Sequence, residues 1–327
     1  MSKPKLFSTH VLFDEPRRKL SEHFEVEYWT GEERPSREEF LKRVAGKDAL
    51  VCLLTEKIDR EMLDAAGPKL RIVANVAVGF DNIDVPACTE RSVAVTNTPG
   101  VLDETTADFA WALLMAVARR LVEGDRFARS GAWKKWNLDQ LCGTDVWGKT
   151  LGIIGLGRIG RAVARRASGF RMRILYNSTT RAPAEIENEL KAEYVSRDQV
   201  FEQADFVSLH VPLNAATKGL VGPAELAKMK RTAFLINTTR GPVVQEAALI
   251  EALERGQIAG AALDVFEREP IIPDGLRRDN VVLAPHLGSA SVETRTRMAV
   301  IAVENAIALF AGQRPPTVLN PEALRKN

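Results

Sequence analysis

Residues 150–160 read Thr150-Leu151-Gly152-Ile153-Ile154-Gly155-Leu156-Gly157-Arg158-Ile159-Gly160, and Arg161-Ala162-Val163-Ala164-Arg165-Arg166 follows directly. The first five residues are a short apolar run of the kind that forms a buried strand, and the last six continue as a helix. Between them lies a Gly-x-Gly-x-x-Gly turn. Glycine turns alone are common; one that joins a strand to a helix is built to hold a dinucleotide. Gly155 permits the tight turn, Gly157 lets the backbone approach a pyrophosphate, and Gly160 lets helix and strand pack closely. The anion would sit on backbone N–H groups at the positive end of the helix. Leu156, Arg158 and Ile159 therefore join the three glycines as candidate cofactor residues.

Working outward, strand-like runs at 173–176, 206–209, 233–237, 260–265 and 281–284 alternate with helical segments. With 150–154 they make six strands, a complete doubly wound parallel sheet. Toward the N-terminus, similar runs occur at 5–12, 24–28, 49–54, 70–75 and 93–96. Ser36-Arg37-Glu38-Glu39 reads as a capping box opening a helix, and a second helix is expected over 59–66. Thr98-Pro99-Gly100 is a turn, and Thr105-Thr106-Ala107-Asp108 a plausible cap for a long apolar helix reaching Arg120. A last helix, about 292–311, begins after the dinucleotide sheet is complete, so it is expected to cross back onto the first domain. The expectation is an α/β protein with a dinucleotide-binding domain over 101–288 and a discontinuous substrate domain over 1–100 and 289–327.

The chain of 327 residues is 45% hydrophobic and 27% charged, with a formal net charge of +2. That balance, without basic tracts, points away from nucleic acid as a partner. The first residues lack the apolar core of a signal peptide, and the most apolar helical stretch, 109–118, is too short to cross a bilayer, so no membrane partner is expected. Cys52, Cys88 and Cys142 are scattered without metal-ligand spacing, which suits reduced thiols, no metal and a cytoplasmic location.

The strand after the glycine turn bears on the choice of cofactor. An NAD site places an acid at its end, to accept from the ribose 2′-OH. Here the chain reads Tyr176-Asn177-Ser178-Thr179-Thr180-Arg181. A carboxylate would repel a 2′-phosphate, whereas amide, hydroxyl and guanidinium donors accept it. Asn177, Ser178, Thr179 and Arg181 are therefore read as an NADP pocket, with NAD the weaker choice.

Three polar residues emerge where apolar strands end. His286 follows Val281-Val282-Leu283-Ala284-Pro285, Arg240 follows Phe234-Leu235-Ile236-Asn237-Thr238-Thr239, and Glu269 lies just beyond 260–265. Ligands of open parallel sheets bind outside the carboxyl ends of the strands, so these side chains can converge. Reduction of a keto acid leaves an alkoxide that needs a proton, and imidazole titrates near working pH. A neighbouring carboxylate favours the charged imidazole and orients it. Glu269 is the candidate, with Glu267 competing. A guanidinium can hold the substrate carboxylate in a fork. The other histidines, His10, His23 and His210, lie in the first domain or nearer the adenine side.

The sequence resembles the D-2-hydroxyacid dehydrogenases, and most closely the glyoxylate/hydroxypyruvate reductases among them. The resemblance rests on Asn75-Val76-Ala77-Val78-Gly79-Phe80-Asp81-Asn82-Ile83-Asp84, the glycine turn, Asn237-Thr238-Thr239-Arg240-Gly241, Ala262-Leu263-Asp264-Val265-Phe266 through Pro270, and Pro285-His286-Leu287-Gly288-Ser289. It implies two Rossmann-like domains, a doubly wound sheet for the cofactor and a flavodoxin-like substrate domain, with the active site in the cleft. It also implies a homodimer formed through the cofactor domain.

By the same resemblance His286 is the general acid/base, Glu269 its partner and Arg240 a substrate ligand beside the cofactor. The N–H groups of Val78 and Gly79 would grip the substrate carboxylate, with Ser289 nearby. Asp264 would meet the nicotinamide carboxamide, while Thr106, Val211, Pro212, Thr217, Thr238 and Gly288 would line the cofactor. Trp133 and Trp136 fall in the implied dimer contact, where Trp136 either reaches the partner's active site or simply packs the interface. Glu269 argues against formate as substrate, since formate dehydrogenases carry glutamine there. No regulatory domain is expected after the last helix. The expected activity is reduction of glyoxylate and hydroxypyruvate to glycolate and D-glycerate. A reductase of a bulkier 2-keto acid and a dinucleotide-sensing, corepressor-like protein are the alternatives.

Overall fold

Short runs such as Ala49-Leu50-Val51-Cys52 and Ile72-Val73-Ala74-Asn75, apolar but for Asn75, are buried along their whole length, as parallel strands covered on both faces must be. The computed structural model describes residues 2–326. It divides into two units, one running to Leu102 and resuming at Ser291, the other spanning Asp103–Ala290.

The first unit is a five-stranded parallel sheet of β1 (Lys5–Ser8), β2 (Glu25–Tyr28), β3 (Ala49–Cys52), β4 (Ile72–Asn75) and β5 (Ala94–Thr96). Its order is β2-β1-β3-β4-β5, the flavodoxin-like winding expected of the substrate domain. On one face Phe7, Leu50 and Val73 pack with Phe40, Met62 and Leu63. On the other, Leu6, Val51 and Ala74 meet the helix Val292–Phe310 through Ala299, Ala302, Val303 and Ala306, small side chains that let the helix lie close to the sheet. Each large apolar side chain buried here contributes about 1.5–3 kcal/mol. Several helices of this unit begin where the sequence supplies caps. Ser36 Oγ accepts from Glu39 N at 3.2 Å, and Asp59 Oδ1 accepts from Met62 N at 3.1 Å.

The second unit holds β6 (Thr150–Ile154), β7 (Arg173–Asn177), β8 (Ala192–Tyr194), β9 (Phe206–Leu209), β10 (Phe234–Asn237), β11 (Gly260–Leu263) and β12 (Val281–Leu283). Their order is β12-β11-β10-β9-β6-β7-β8, all parallel, a doubly wound sheet that reverses direction beside β6. Six strands were expected and seven are present. The extra one, β8, is a three-residue edge strand with Glu193 and Tyr194 exposed, too short and polar to register as an apolar run.

The long apolar helix also differs from expectation. It spans Asp103–Ala118, starting two residues earlier than its expected cap, with Asp103 and Glu104 in its first turn, where negative charge suits the helix dipole. It stops where Arg120 turns left-handed at φ 51°, and a second helix, Leu121–Arg129, follows. Trp111 Nε1 donates to Val163 O at 3.0 Å, tying the long helix to the one that opens at the glycine turn.

Candidate active site

The glycine turn follows β6 and leads into the helix Arg158–Ala167. Gly155 sits at φ +99°, and a Cβ there would lie 2.5 Å from His210 O. A Cβ on Gly160 would lie 2.2 Å from Gly155 O, so that position is closed by the turn itself. Gly157 is the opposite case, because a Cβ there would meet nothing within 4 Å. No side chain caps the helix at Gly157, so its first-turn N–H groups have no intrahelical acceptor. Two strands along the sheet, at the end of β10, the Thr238 hydroxyl is buried without a partner among the described residues. Open space over Gly157, unsatisfied helix donors and an orphaned hydroxyl fit a bound dinucleotide.

Ser178 is drawn into this loop, its Oγ accepting from Leu156 N at 2.6 Å, while Gly155 N donates to Asn177 O at 2.8 Å. Asn177 Nδ2 is turned to Val195 O at 2.8 Å, and Thr179 is exposed. Arg181 is exposed but engaged. Its Nε and Nη2 each donate to Glu187 at 2.9 Å. That fork and the Tyr176 hydroxyl hold the Glu187 carboxyl down at about 2. Arg158 is largely exposed, 3.5 Å from Asp103, and Ile159 packs partly into the core. Thr106 is buried in the long helix beside Gly288. Val211 closes over Gly155, and Thr217 Oγ1 donates to Pro212 O at 2.5 Å, bracing the loop after β9. His210 makes a 2.8 Å contact with Ser208 Oγ, and burial pushes its imidazole down to about 4, so it stays neutral.

The ends of β10, β11 and β12 bring the chemical groups together. Asn237, fully buried, organises the turn after β10. Its Oδ1 accepts from Thr239 N at 3.0 Å and its Nδ2 donates to Arg240 O at 3.1 Å. Gly241 then passes so close to Phe266 that a Cβ would lie 1.8 Å from Phe266 C, and only glycine permits that approach. Arg240 is thereby set near Glu269, whose titration feels its charge.

His286 Nδ1 lies 2.9 Å from Glu269 Oε2. A carboxylate can only accept, so Nδ1 carries the hydrogen and Nε2 is the nitrogen suited to proton transfer. Burial pushes the Glu269 carboxyl up, but the hydrogen bond and charge of His286, the Phe266 N–H and the charge of Arg240 together bring it below its ordinary value. His286 has a left-handed backbone, φ 57°, uncommon for a residue with a side chain. Asp264 holds it there. Its backbone oxygen accepts from His286 N at 2.8 Å, and its carboxylate oxygens accept from Leu287 N at 2.6 Å and Gly288 N at 2.8 Å. Burial raises the Asp264 carboxyl above its ordinary value despite those two donors.

The competition between the two glutamates has a structural answer. Glu267 exchanges hydrogen bonds with Glu246: Glu267 Oε1 accepts from Glu246 N at 3.1 Å, and Glu246 Oε1 accepts from Glu267 N at 2.7 Å. Glu267 thus braces the loop, and Glu269 is the acid beside the imidazole. Two roles were missed by sequence reading. Asn237 shapes the arginine turn, and both carboxylate oxygens of Asp264 are used in holding the histidine loop. Their signal was a buried polar residue ending an apolar strand.

Val78 and Gly79 lie in the first unit, in the bend after β4. Ser289 is half-buried in the turn after His286, where Ala290 N donates to Leu287 O at 2.7 Å. Trp136 is 73% exposed, in a stretch that also exposes Trp133 and Leu138.

A doubly wound sheet with a glycine turn at its reversal, and an arginine, a glutamate and a histidine at three strand ends, defines a dinucleotide-dependent oxidoreductase. Residues 111–288 match the family model for the D-isomer specific 2-hydroxyacid dehydrogenase NAD-binding domain, and this chain belongs to that family. It is 55% identical to a glyoxylate reductase of Korarchaeum cryptofilum, over 99% of this chain and 98% of the relative. A solved structure of a protein from Thermus thermophilus is 44% identical with a TM-score of 0.90, covering 96% of this chain and 99% of its own. An NADPH-dependent glyoxylate/hydroxypyruvate reductase from Sinorhizobium meliloti, solved with NADP and malonate, is 36% identical with a TM-score of 0.85, each chain covered to 98%.

Proposed function

We propose that this protein reduces glyoxylate and hydroxypyruvate to glycolate and D-glycerate, with NADPH preferred. The observation that carries the reading is His286 Nδ1 at 2.9 Å from Glu269 Oε2, on strand ends shared with Arg240. Arg240 holds the substrate carboxylate and orients the keto group, with the N–H groups of Val78 and Gly79 and the Ser289 turn as further carboxylate anchors. The bound dinucleotide supplies the hydride. His286 gives its Nε2 proton to the developing alkoxide, and Glu269 steadies the imidazolium before transfer and keeps the ring aimed. Asp264, by gripping Leu287 and Gly288, keeps His286 in its unusual backbone conformation.

The NADPH preference is supported by the absence of a carboxylate over 176–181, by Ser178 standing against the glycine turn through Leu156 N, and by the NADP bound to the S. meliloti relative. Arg181 would exchange part of its Glu187 fork for the 2′-phosphate. A homodimer through the second unit is supported by the exposed apolar residues Leu121, Val122, Trp133, Trp136, Leu138 and Trp147. The buried free thiols Cys52 and Cys88 suit a cytoplasmic setting.

The deciding experiment is the initial rate of NADPH oxidation with glyoxylate and with hydroxypyruvate, with NADH in parallel. Fast turnover with NADPH supports the whole reading. Faster turnover with NADH removes the cofactor preference and leaves the chemistry standing. Turnover only with bulkier keto acids would replace the substrate, and dinucleotide binding without turnover would point to a sensor.

A further inference from the structure

Three consecutive peptide groups in the bend after β4 are tethered by their carbonyls. Ala77 O accepts from Thr98 N at 2.9 Å, Val78 O from Asn97 Nδ2 at 2.8 Å, and Gly79 O from Asn75 Nδ2 at 2.9 Å. In a trans peptide the N–H points opposite to the C=O. Tying those carbonyls therefore turns the N–H groups of Val78, Gly79 and Phe80 away from their tethers. None of the three donates to a protein group among the described residues. Successive outward N–H groups form an anion-binding nest.

The third tether is anchored independently of the other two. Asn75 ends β4 and is fully buried. An amide in that position could present either its oxygen or its nitrogen to Gly79. The Cys52 thiol, also fully buried and ending β3, settles the choice by donating to Asn75 Oδ1 across 3.7 Å. Burial pushes that thiol far up, so it keeps the hydrogen it donates.

We propose that Asn75, its amide fixed by Cys52, is a positioning residue that aims the Phe80 N–H as a third donor to the substrate carboxylate. This rests on the proposed carboxylate anchors at Val78 and Gly79 and adds to them a donor and the two side chains behind it. The arrangement accounts for a polar residue at the end of an otherwise apolar strand, and for a buried thiol that the chemistry leaves unused.

The test compares wild type with Asn75→Leu, which keeps the size and removes the donor, and with Cys52→Ala and Cys52→Ser. In Asn75→Leu the KM for glyoxylate should rise about tenfold to a hundredfold, the loss of one hydrogen bond to a charged group. The kcat and the NADPH dissociation constant should hold at wild-type values. Cys52→Ala should shift KM in the same direction by less, and Cys52→Ser, which restores a donor, should recover it. Wild-type KM in both Asn75→Leu and Cys52→Ala overturns the proposal, as does a fall in kcat and NADPH affinity alongside KM, which marks a general loss of structure. Failure of the wild-type enzyme to reduce either keto acid brings down the proposed activity instead. A crystal structure of Asn75→Leu then decides the positioning role: a turned Gly79 peptide upholds it, and a carbonyl still held inward overturns it.

Discussion

Gly157 and Gly160 stand three residues apart in one turn, yet adding a methyl group to each should do opposite things. At Gly157 a Cβ meets nothing within 4 Å, and the backbone, φ −74°, suits any residue. Alanine there restricts the unfolded chain, a gain of about 0.4–1 kcal/mol. It also makes a poorer N-cap, a loss of similar size, roughly 0.5–1 kcal/mol. The unfolding midpoint of Gly157→Ala should therefore stay near wild type. Under the proposed function, the space it fills is the space a pyrophosphate needs. Losing one hydrogen bond to a charged group costs about 1.5–3 kcal/mol, roughly ten- to hundredfold in the dissociation constant.

At Gly160 the methyl group would sit 2.2 Å from Gly155 O, a backbone atom that cannot step aside cheaply. Overpacking of this kind costs about 1–3 kcal/mol. At roughly 2–4 °C per kcal/mol for a unit of this size, Gly160→Ala should melt roughly 2–12 °C lower. Thermal unfolding without ligand and fluorescence titration with NADPH measure the two effects separately. Should Gly157→Ala bind NADPH as tightly as wild type while melting normally, the open space is not the cofactor's, and the account of the turn is wrong.

Other outcomes follow from the strand-end groups. His286→Ala should cut kcat about 10²- to 10⁴-fold while leaving NADPH binding intact, and Arg240→Ala should raise KM as well as lower kcat in steady-state assays. Glu269→Gln should lower kcat with NADPH affinity unchanged, since the imidazole loses the carboxylate that aims it, as steady-state assays and cofactor titrations would show. The same pair affects stability. The Glu269 carboxyl lies below its ordinary value, so its pairing stabilises the fold above the usual carboxylate range and is lost as pH falls through the lowered value. The melting gap between wild type and Glu269→Gln should accordingly close below about pH 4. Glu187→Ala releases the Arg181 guanidinium, so NADPH affinity should rise with NADH affinity unchanged, as paired titrations would reveal. Equal changes for both cofactors would remove Arg181 from the 2′-phosphate site.

Much of this protein is decided by local pattern. Apolar runs of four or five residues separated by helical segments specify parallel sheets, because strands covered on both faces tolerate little else. The spacing of Gly155 and Gly160 specifies the turn, because each answers a steric demand of the surrounding backbone, while Gly157 leaves open space over it. Even Arg240, Glu269 and His286 could be singled out, since a polar residue that ends a buried strand in such a sheet lies on the ligand side. What tertiary structure alone decided is which groups meet. Glu267 competes with Glu269 by residue type, and the packing of Glu246 against the loop assigns the first to bracing and leaves the second beside His286. The unusual conformation of His286 depends on Asp264, 22 positions earlier in the chain. The edge strand β8 exists because β7 offers it a partner, its own residues carrying no apolar signal. Hydrogen bonds between distant residues depend on ångström-scale placement by the whole sheet, whereas burial and backbone conformation are largely written in the residue types themselves.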